Sequence, residues 1–344
     1  MPRILIVRIG AMGDVLHAMP AVAALRERHP DWWMEWVIEP RWSALLQAGN
    51  ASDGLVRGPA MPLVDRVIPA ATKDWKRRPF SWRTLGKIVA LRRELRAERF
   101  DLCVDMQGLI RSAVIGKMAG AGRFAGRAKP REMPARWLYG MRVETAAAHV
   151  IEQGCELLGA AVGEALRPAK VSLPMDKAAE RWCDGLGEER FVLLAPSAGW
   201  GSKVWPAERY GGVAAALGRA GYRVLVNAVS AEDEKAAAVV GASDGYAVAV
   251  PCSVSEMIAL VGRAELVIAG DSGPLHLAAA LGKPLVGLYG PTDPTRTGPY
   301  GTASRVLRHA ASQTDHSRRP HAEEGLLLIT VDEVVEAAFE LLRG

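Results

Sequence analysis

The chain has 344 residues, 49% hydrophobic and 24% charged, which predicts two domains at roughly 100–200 residues each and excludes a mainly disordered chain. No apolar run approaches the roughly 18 residues of a spanning helix, and the apolar start Ile4-Leu5-Ile6-Val7 is cut by Arg8 and Asp14, which argues against a signal peptide and predicts an intracellular protein. The net charge of +5 is unevenly spread: residues 1–170 carry 27 basic against 17 acidic side chains and residues 171–344 carry 16 against 21, so the halves are expected to meet different partners.

Along the chain, short β-branched apolar runs alternate with longer Ala/Leu/Arg-rich runs of helical period, the pattern of parallel sheets covered by helices. In the first half, strands are predicted at 3–9, 34–38, 66–68 and 102–105, and helices at 14–28, 85–99, 111–119 and 147–158. Pro20 inside the first helix implies a kink or a late start. Directly after the first strand comes Arg8-Ile9-Gly10-Ala11-Met12-Gly13-Asp14-Val15-Leu16-His17. Gly10 and Gly13 permit a sharp turn into a helix N-terminus, where free N–H groups favour anions. The turn is not a GxGxxG fingerprint, and Asp14 as a simple helix cap is the alternative. Two basic segments follow: residues 73–83 (KDWKRRPFSWR) hold five basic side chains against one acid, and residues 123–142 hold six against one. A solvated face is the plain reading of either run. The interleaved Trp75, Phe80, Trp82, Trp137 and Tyr139 favour an anionic partner instead: nucleic acid, a sugar phosphate or a lipid headgroup.

Residues 167–190 read as a linker, with an extended connector at 167–174 marked by Pro168 and Pro174, and the rhythm restarts at Phe191. Strands are predicted at 191–194, 223–226, 247–250, 266–269 and 285–289, with helices at 207–219, 254–261 and 275–281. A last helix at 331–342 could pack on either half, including a crossing back to the first. The expected architecture is α/β: a Rossmann-like domain over 1–166, another over 191–330, and a cleft between them. The turn after Phe191's strand, Ser197-Ala198-Gly199-Trp200-Gly201-Ser202-Lys203-Val204-Trp205-Pro206, brings backbone and a lysine near any ligand. It is not a Walker A loop, and a flexible surface loop is the alternative. Gly270-Asp271-Ser272-Gly273-Pro274-Leu275-His276 again reads strand, polar turn, helix, with Pro274 at a first helical position, and suits a diphosphate. Thr292 and Asp293 follow the next strand at the same edge. Cys103, Cys155, Cys183 and Cys252 lie far apart without a Cys-x-x-Cys pair and read as core thiols.

Taken together, RIGAMGDVLHAMPAVAAL, DMQGLIRSA, SKVWP, GDSGPLHLAAALGKP and LYGPTDP resemble the ADP-heptose:lipopolysaccharide heptosyltransferases, inverting glycosyltransferases of family 9 with the two-domain GT-B fold. RWSALL and VIPAATKDWKRRPFSW resemble the branch that adds the first heptose, to lipid A carrying Kdo sugars. The resemblance implies Asp14 as general base and Lys203 as the cation beside the leaving diphosphate. It implies a donor pocket of Gly13, Ser197, Glu232, Asp271, Ser272, Gly273, His276 and Thr292. Acceptor-side candidates are Lys76, Arg77, Arg78, Gln107, Arg111, Arg127, Lys129 and Arg131. Val229-Ser230-Ala231-Glu232 departs from the family's glycine-rich turn, and SQTDHSRRPHAEEG stands where some relatives carry a cysteine-rich tail, so that segment implies no function. No cofactor or metal is implied. The expected partners are ADP-heptose and Kdo-bearing lipid A, with no nucleic acid, no transmembrane segment and no particular oligomer. The expected place is the cytoplasm, peripheral to the inner face of the inner membrane. Transfer to a later core heptose is the alternative. A non-catalytic anion- or nucleic-acid-binding module and a nicotinamide-dependent oxidoreductase are rivals from other classes, but RRM, KH, helix-turn-helix and GxGxxG signatures are all missing.

Overall fold

The alternating apolar runs form two sheets, each entirely parallel, in a computed structural model that describes residues 1–49, 57–79, 81–187, 189–315, 317 and 319–343. Phe80 lies outside the described residues. The chain divides into two compact units, Met1–Met175 and Asp176–Gly344.

The first unit runs β1 (Arg3–Val7), α1 (Met12–Arg28), β2 (Trp33–Ile38), β3 (Arg66–Pro69), α2 (Thr72–Arg77), α3 (Trp82–Ala97), β4 (Leu102–Asp105), α4 (Ile110–Ala119), β5 (Arg123–Arg127), β6 (Met141–Val143) and α5 (Val150–Val162), with 3-10 turns at Pro40–Leu45 and Met133–Leu138. The sheet order is β3-β2-β1-β4-β5-β6, with Ile4 of β1 opposite Met34 on one side and Leu102 on the other. Leu5 and Val7 join Val37, Ile68 and Cys103 beneath Leu91 and Leu95 of α3 and Ala113 and Ile115 of α4. Each such buried aliphatic side chain contributes about 1.5–3 kcal/mol. Helices α1 and α5 pack on each other, which is why α1 is buried almost throughout.

Three expectations for this unit change. The first strand ends at Val7, not at residue 9, because the Ile9 and Gly10 amides donate to the Gln107 side chain rather than to a neighbouring strand. Helix α1 starts at Met12 and runs through Pro20, so there is no late start; a proline there removes one helical donor, and packing retains the rest. Residues 123–142 are not one basic segment. They fold into β5, the 3-10 turn and β6, with Phe124 and Ala125 buried between the arginines.

The second unit runs α6 (Lys177–Asp184), β7 (Phe191–Ala195), a 3-10 turn (Gly201–Lys203), α7 (Ala207–Arg219), β8 (Arg223–Ala228), α8 (Glu234–Gly241), β9 (Ala247–Pro251), α9 (Val254–Arg263), β10 (Leu266–Gly270), α10 (Gly273–Ala280), β11 (Leu285–Leu288), α11 (Pro294–Thr297), β12 (Ser304–Leu307), α12 (Glu324–Leu328) and α13 (Val331–Arg343). Its sheet order, β12-β11-β10-β7-β8-β9, repeats the first. Helix α6 occupies part of the expected linker: Asp176 caps it and it packs on α9, while the connector at 167–174 carries no helix or strand. Helix α13, for which a return to the first half was one expectation, packs on α7, β10, β11 and β12 of its own unit. The core gathers Val192, Leu194, Trp205, Tyr210 and Leu266. Cys103, Cys155 and Cys183 are buried free thiols and Cys252 is half-buried. In each unit the strand order reverses beside the first strand, at β1/β4 and at β7/β10, and ligands of open parallel sheets gather at the carboxyl ends there.

Candidate functional site

In the first unit the carboxyl ends of β1, β4 and β5 bring Asp14, Gln107 and Arg131 together. Asp14 lies in the first turn of α1, and its Oδ2 accepts from the Ala11 amide at 3.2 Å, so the carboxylate does cap the helix. It also receives a two-pronged ion pair from Arg131, at 2.8 and 2.9 Å, and a contact from Arg8 at 3.0 Å. Burial opposes ionisation of Asp14, but the Arg8 and Arg131 guanidiniums outweigh it and hold the group well below the usual carboxylate range. His17, one turn on, is buried with its ring 6.1 Å from that of His149.

Gln107 does not project as a free acceptor contact. Its Oε1 accepts from Ile9 and Gly10 at 2.7 and 3.3 Å and its Nε2 donates to the Gly10 carbonyl at 2.6 Å, so it acts on the site by holding the Gly10 turn. Gln107 is set in turn by Asp105, the last residue of β4. The Asp105 carboxylate is fully buried and accepts from the Gln107 and Gly108 amides at 2.9 and 3.1 Å, Ser112 Oγ at 2.9 Å and Tyr139 Oη at 2.7 Å. Burial pushes its pKa up against those four donors. Gly108 has φ +72°, and a Cβ there would lie 3.1 Å from the Arg131 amide; glycine lets this loop touch the segment carrying Arg131. Sequence reasoning gave no role to Arg8, Asp105 or Ser112, and it read Tyr139 as an aromatic facing an anionic partner, whereas that side chain is buried in the core with its hydroxyl spent on Asp105. Asp105 stands inside the DMQG stretch, but its partners lie up to 34 residues away.

The other acceptor-side candidates divide. Arg127 ends β5 and donates to Gln153 at 2.7 Å. Arg111 and Lys129 are exposed at the same sheet edge, and Lys76, Arg77 and Arg78 are exposed on and after α2, which follows the outer strand β3.

In the second unit the ends of β7, β10 and β11 carry most of the donor-side candidates. Asp271 follows β10 and is buried; its Oδ1 pairs with His276 Nε2 at 2.9 Å and its Oδ2 with Lys203 Nζ. Burial opposes ionisation here too, yet His276 and Lys203 keep the carboxylate well below its ordinary range. Lys203 also lies 4.3 Å from the centre of the Trp200 ring. A Cβ on Gly270 would meet the Lys203 carbonyl oxygen at 3.0 Å, so the glycine lets the lysine turn close on the strand. The turn is pinned from outside by the 319–323 segment: the Ser202 amide donates to Arg319 O at 3.0 Å and the Glu323 amide to Ser202 O at 3.2 Å. Gly273 opens α10, and Ser272 sits at its cap without using its hydroxyl for the helix. Ser272 Oγ and Thr292 Oγ1 are buried with no hydrogen-bond partner. Ser197 is half-buried after β7, Gly13 is half-buried in α1, and Glu232 is exposed after β8. Asp293 is spent as the cap of α11.

A lysine–aspartate–histidine cluster beside a helix start, with the unspent buried hydroxyls of Ser272, Thr292 and, next to the lysine, Ser202, has the donors an anionic ligand requires. Among the described residues, no group of three or more His, Cys, Asp or Glu side chains is placed to hold a metal ion, and no helix is long and apolar enough to cross a membrane.

Comparison with known proteins bears on what that ligand is. Residues 88–327 match the profile of Glycosyltransferase family 9 (heptosyltransferase). The chain is 30% identical over 315 residues to lipopolysaccharide heptosyltransferase 1 of Escherichia coli K12, covering 89% of this chain and 93% of that protein. It is 29% identical over 306 residues to the Pseudomonas aeruginosa protein of the same name, covering 87% and 81%. Among solved structures, E. coli heptosyltransferase WaaC with ADP superposes with a TM-score of 0.80 at 25% identity, over 98% of this chain and 99% of that one. WaaC with ADP-2-deoxy-2-fluoro heptose gives 0.77 at the same identity and coverage. The two-sheet architecture is that of these GT-B enzymes.

Proposed function

The chain belongs to glycosyltransferase family 9, and from that premise we propose that it moves heptose from ADP-heptose to the Kdo region of lipid A, the first heptose of the lipopolysaccharide inner core. In this reading the acceptor hydroxyl gives its proton to the Asp14 carboxylate as its oxygen bonds to the anomeric carbon of the heptose. The bond from that carbon to the diphosphate breaks with its electron pair leaving on ADP, and the configuration inverts. Lys203 and the amides at the start of α10 oppose the charge gathering on the diphosphate. Lys76, Arg77, Arg78, Arg111, Lys129 and Arg131 attract the anionic acceptor.

The observation that carries the reading is the pair of idle buried hydroxyls, Ser272 and Thr292, at the strand ends that hold the Lys203–Asp271–His276 cluster. Leaving such a group unpaired costs about 1–3 kcal/mol, and diphosphate or ribose oxygens would recover it. Association with the membrane surface belongs to the same reading. The outward face of α3 presents Trp82, 89% exposed, with Leu85 and Val89 beside Arg92 and Arg93, a combination that suits an anionic lipid interface.

The test is ADP release from ADP-heptose with deacylated Kdo-bearing lipid A, together with the mass of the acceptor product. One heptose added per acceptor is expected. Product formed only from an acceptor that already carries heptose would reassign the enzyme to a later core position, and no product from any such acceptor would reject the reading.

A further inference from the structure

Both oxygens of the Asp14 carboxylate are occupied. Oδ1 faces Arg8 and Arg131 at 3.0 and 2.8 Å, and Oδ2 faces Arg131 at 2.9 Å and the Ala11 amide at 3.2 Å. A general base needs a lone pair aimed at the proton it takes and a proton affinity matched to the working pH. A carboxylate shared by two guanidiniums has neither. The charged and titratable groups facing it are Arg8 after β1, His17 on α1 and Arg131 after β5, and all of them favour the ionised, weakly basic form.

The two arginines are not equivalent. Arg8 is built into the fold: its side chain is 8% exposed, its Nε donates to the Asp14 carbonyl at 2.9 Å, and its guanidinium also reaches the Met106 carbonyl. The Arg131 side chain is 46% exposed. Its backbone is fixed, since the Glu132 amide donates to Gly108 O at 3.0 Å and the Glu132 carboxylate receives the Ile110 amide at 2.7 Å. Only the side chain is therefore free to swing. The like charges of Arg8 and Arg131 are close enough to oppose each other, so a second anion that took Arg131 away would relieve that crowding.

We infer that Arg131 is a removable cover on Asp14: an oxyanion of the incoming acceptor takes its guanidinium and so uncovers the carboxylate for the acceptor hydroxyl. The inference rests on the reading of Asp14 as the base. It makes Arg131 a positioning residue that ties base strength to the presence of an anionic acceptor. On the same inference, the cover would also keep ADP-heptose from hydrolysis before the acceptor arrives. In that wasteful reaction water would give its proton to Asp14, its oxygen would bond to the anomeric carbon, and ADP would leave. A covered carboxylate cannot take the water proton.

The experiment follows the Asp14 carboxylate by carbon-13 NMR titration in the full chain, assigned with Asp14→Asn, for wild type and Arg131→Gln. It is paired with ADP-heptose hydrolysis measured without acceptor. In Arg131→Gln the titration midpoint is expected to rise by about 1–3 pH units, acceptor-free hydrolysis to rise by about tenfold, and transfer to fall. Arg131→Lys, a point charge without the planar fork, should lie between the two. The oxyanion is either a phosphate or a sugar carboxylate. Dephosphorylated and carboxyl-reduced acceptors separate them, because losing the right one lowers transfer in wild type and has little further effect in Arg131→Gln. An unchanged Asp14 titration and unchanged hydrolysis in Arg131→Gln would overturn the inference. Full transfer by Asp14→Asn would sink the base reading beneath it, even with the titration shift intact.

Discussion

Strands β4 and β10 hold the same position in two sheets of the same order, each beside the first strand of its unit, and each leads to a buried aspartate. Among the described residues, the hydrogen bonds to Asp105 come from uncharged donors: two amides, a serine hydroxyl and a tyrosine hydroxyl. Asp271 is met by a lysine and a histidine, while the neighbouring Ser272 hydroxyl is left unused. The first arrangement is closed. It spends every donor on holding the loop that sets Gln107, and through it the Gly10 turn. The second pairs its lysine and histidine with the aspartate and leaves the Ser272 and Thr292 hydroxyls unused. The carboxyl ends of two equivalent strands thus carry buried aspartates with different partners, neutral donors in one unit and a lysine and a histidine in the other.

The largest break should come where the chemistry is assigned. Asp14→Asn is expected to lower heptose transfer by about 100-fold or more while the thermal stabilisation given by ADP stays near wild type, because the proposed nucleotide site lies in the other unit. Loss of the ADP shift in Asp14→Asn would blur the division of labour. Lys203→Ala should do the reverse, removing most of the ADP shift and lowering transfer by about tenfold to 100-fold without changing acceptor saturation. A variant that raised only the acceptor requirement would place Lys203 on the wrong substrate.

The closed arrangement should answer in stability instead. Asp105→Ala strands four donors and is expected to cost about 3 kcal/mol or more in chemical denaturation. Asp105→Asn, which can still accept through one atom and donate to the hydroxyls through the other, should cost far less. The two aspartates also carry opposite signs against pH. Burial raises Asp105 above the ordinary 3.8, so folding takes up a proton there and the group weakens stability progressively as pH climbs from its unfolded value to its folded one. Asp271, despite burial, is held below 3.8 by His276 and Lys203; its contribution is full above the unfolded value and is lost as pH falls toward the folded one. Melting curves between about pH 3 and pH 7 should show Asp105→Asn gaining on wild type as pH rises and Asp271→Asn gaining as pH falls. Parallel curves would mean the two environments do not differ as described.

Much of this was legible in the chain. The turns at Gly10–Asp14 and Asp271–His276 follow uninterrupted apolar runs, and in a parallel sheet the residue after such a run stands at the carboxyl edge. What escaped was short or long-range. Strands β5, β6 and β12 read RFAGR, MRV and SRVL, too short and too charged to show a period, and their pairing to longer neighbours forms them. Helix α6 was hidden inside a linker because only Ala179 and Cys183 of its residues are buried. The Asp14–Arg131 pair joins residues 117 apart. No local pattern announces it, although each residue was singled out for its own reason.

The smallest expected effect concerns the exposed cations. Neutralising Lys76, Arg77 and Arg78 together should weaken acceptor affinity several-fold at low salt and leave it less salt-dependent, since exposed charges are screened beyond roughly 8 Å at physiological ionic strength. ADP binding should not change. Equal losses for phosphorylated and dephosphorylated acceptors would mean that these side chains do not meet the acceptor's phosphates.

Amide hydrogen exchange of the full chain with and without ADP tests the contrast between the two arrangements most directly. Protection is expected at residues 197–203, 271–276 and 290–293, with residues 8–14 and 105–111 unchanged. Protection at 8–14 or 105–111 with none at 271–276 would contradict the assignment of the nucleotide to the second unit's open cluster.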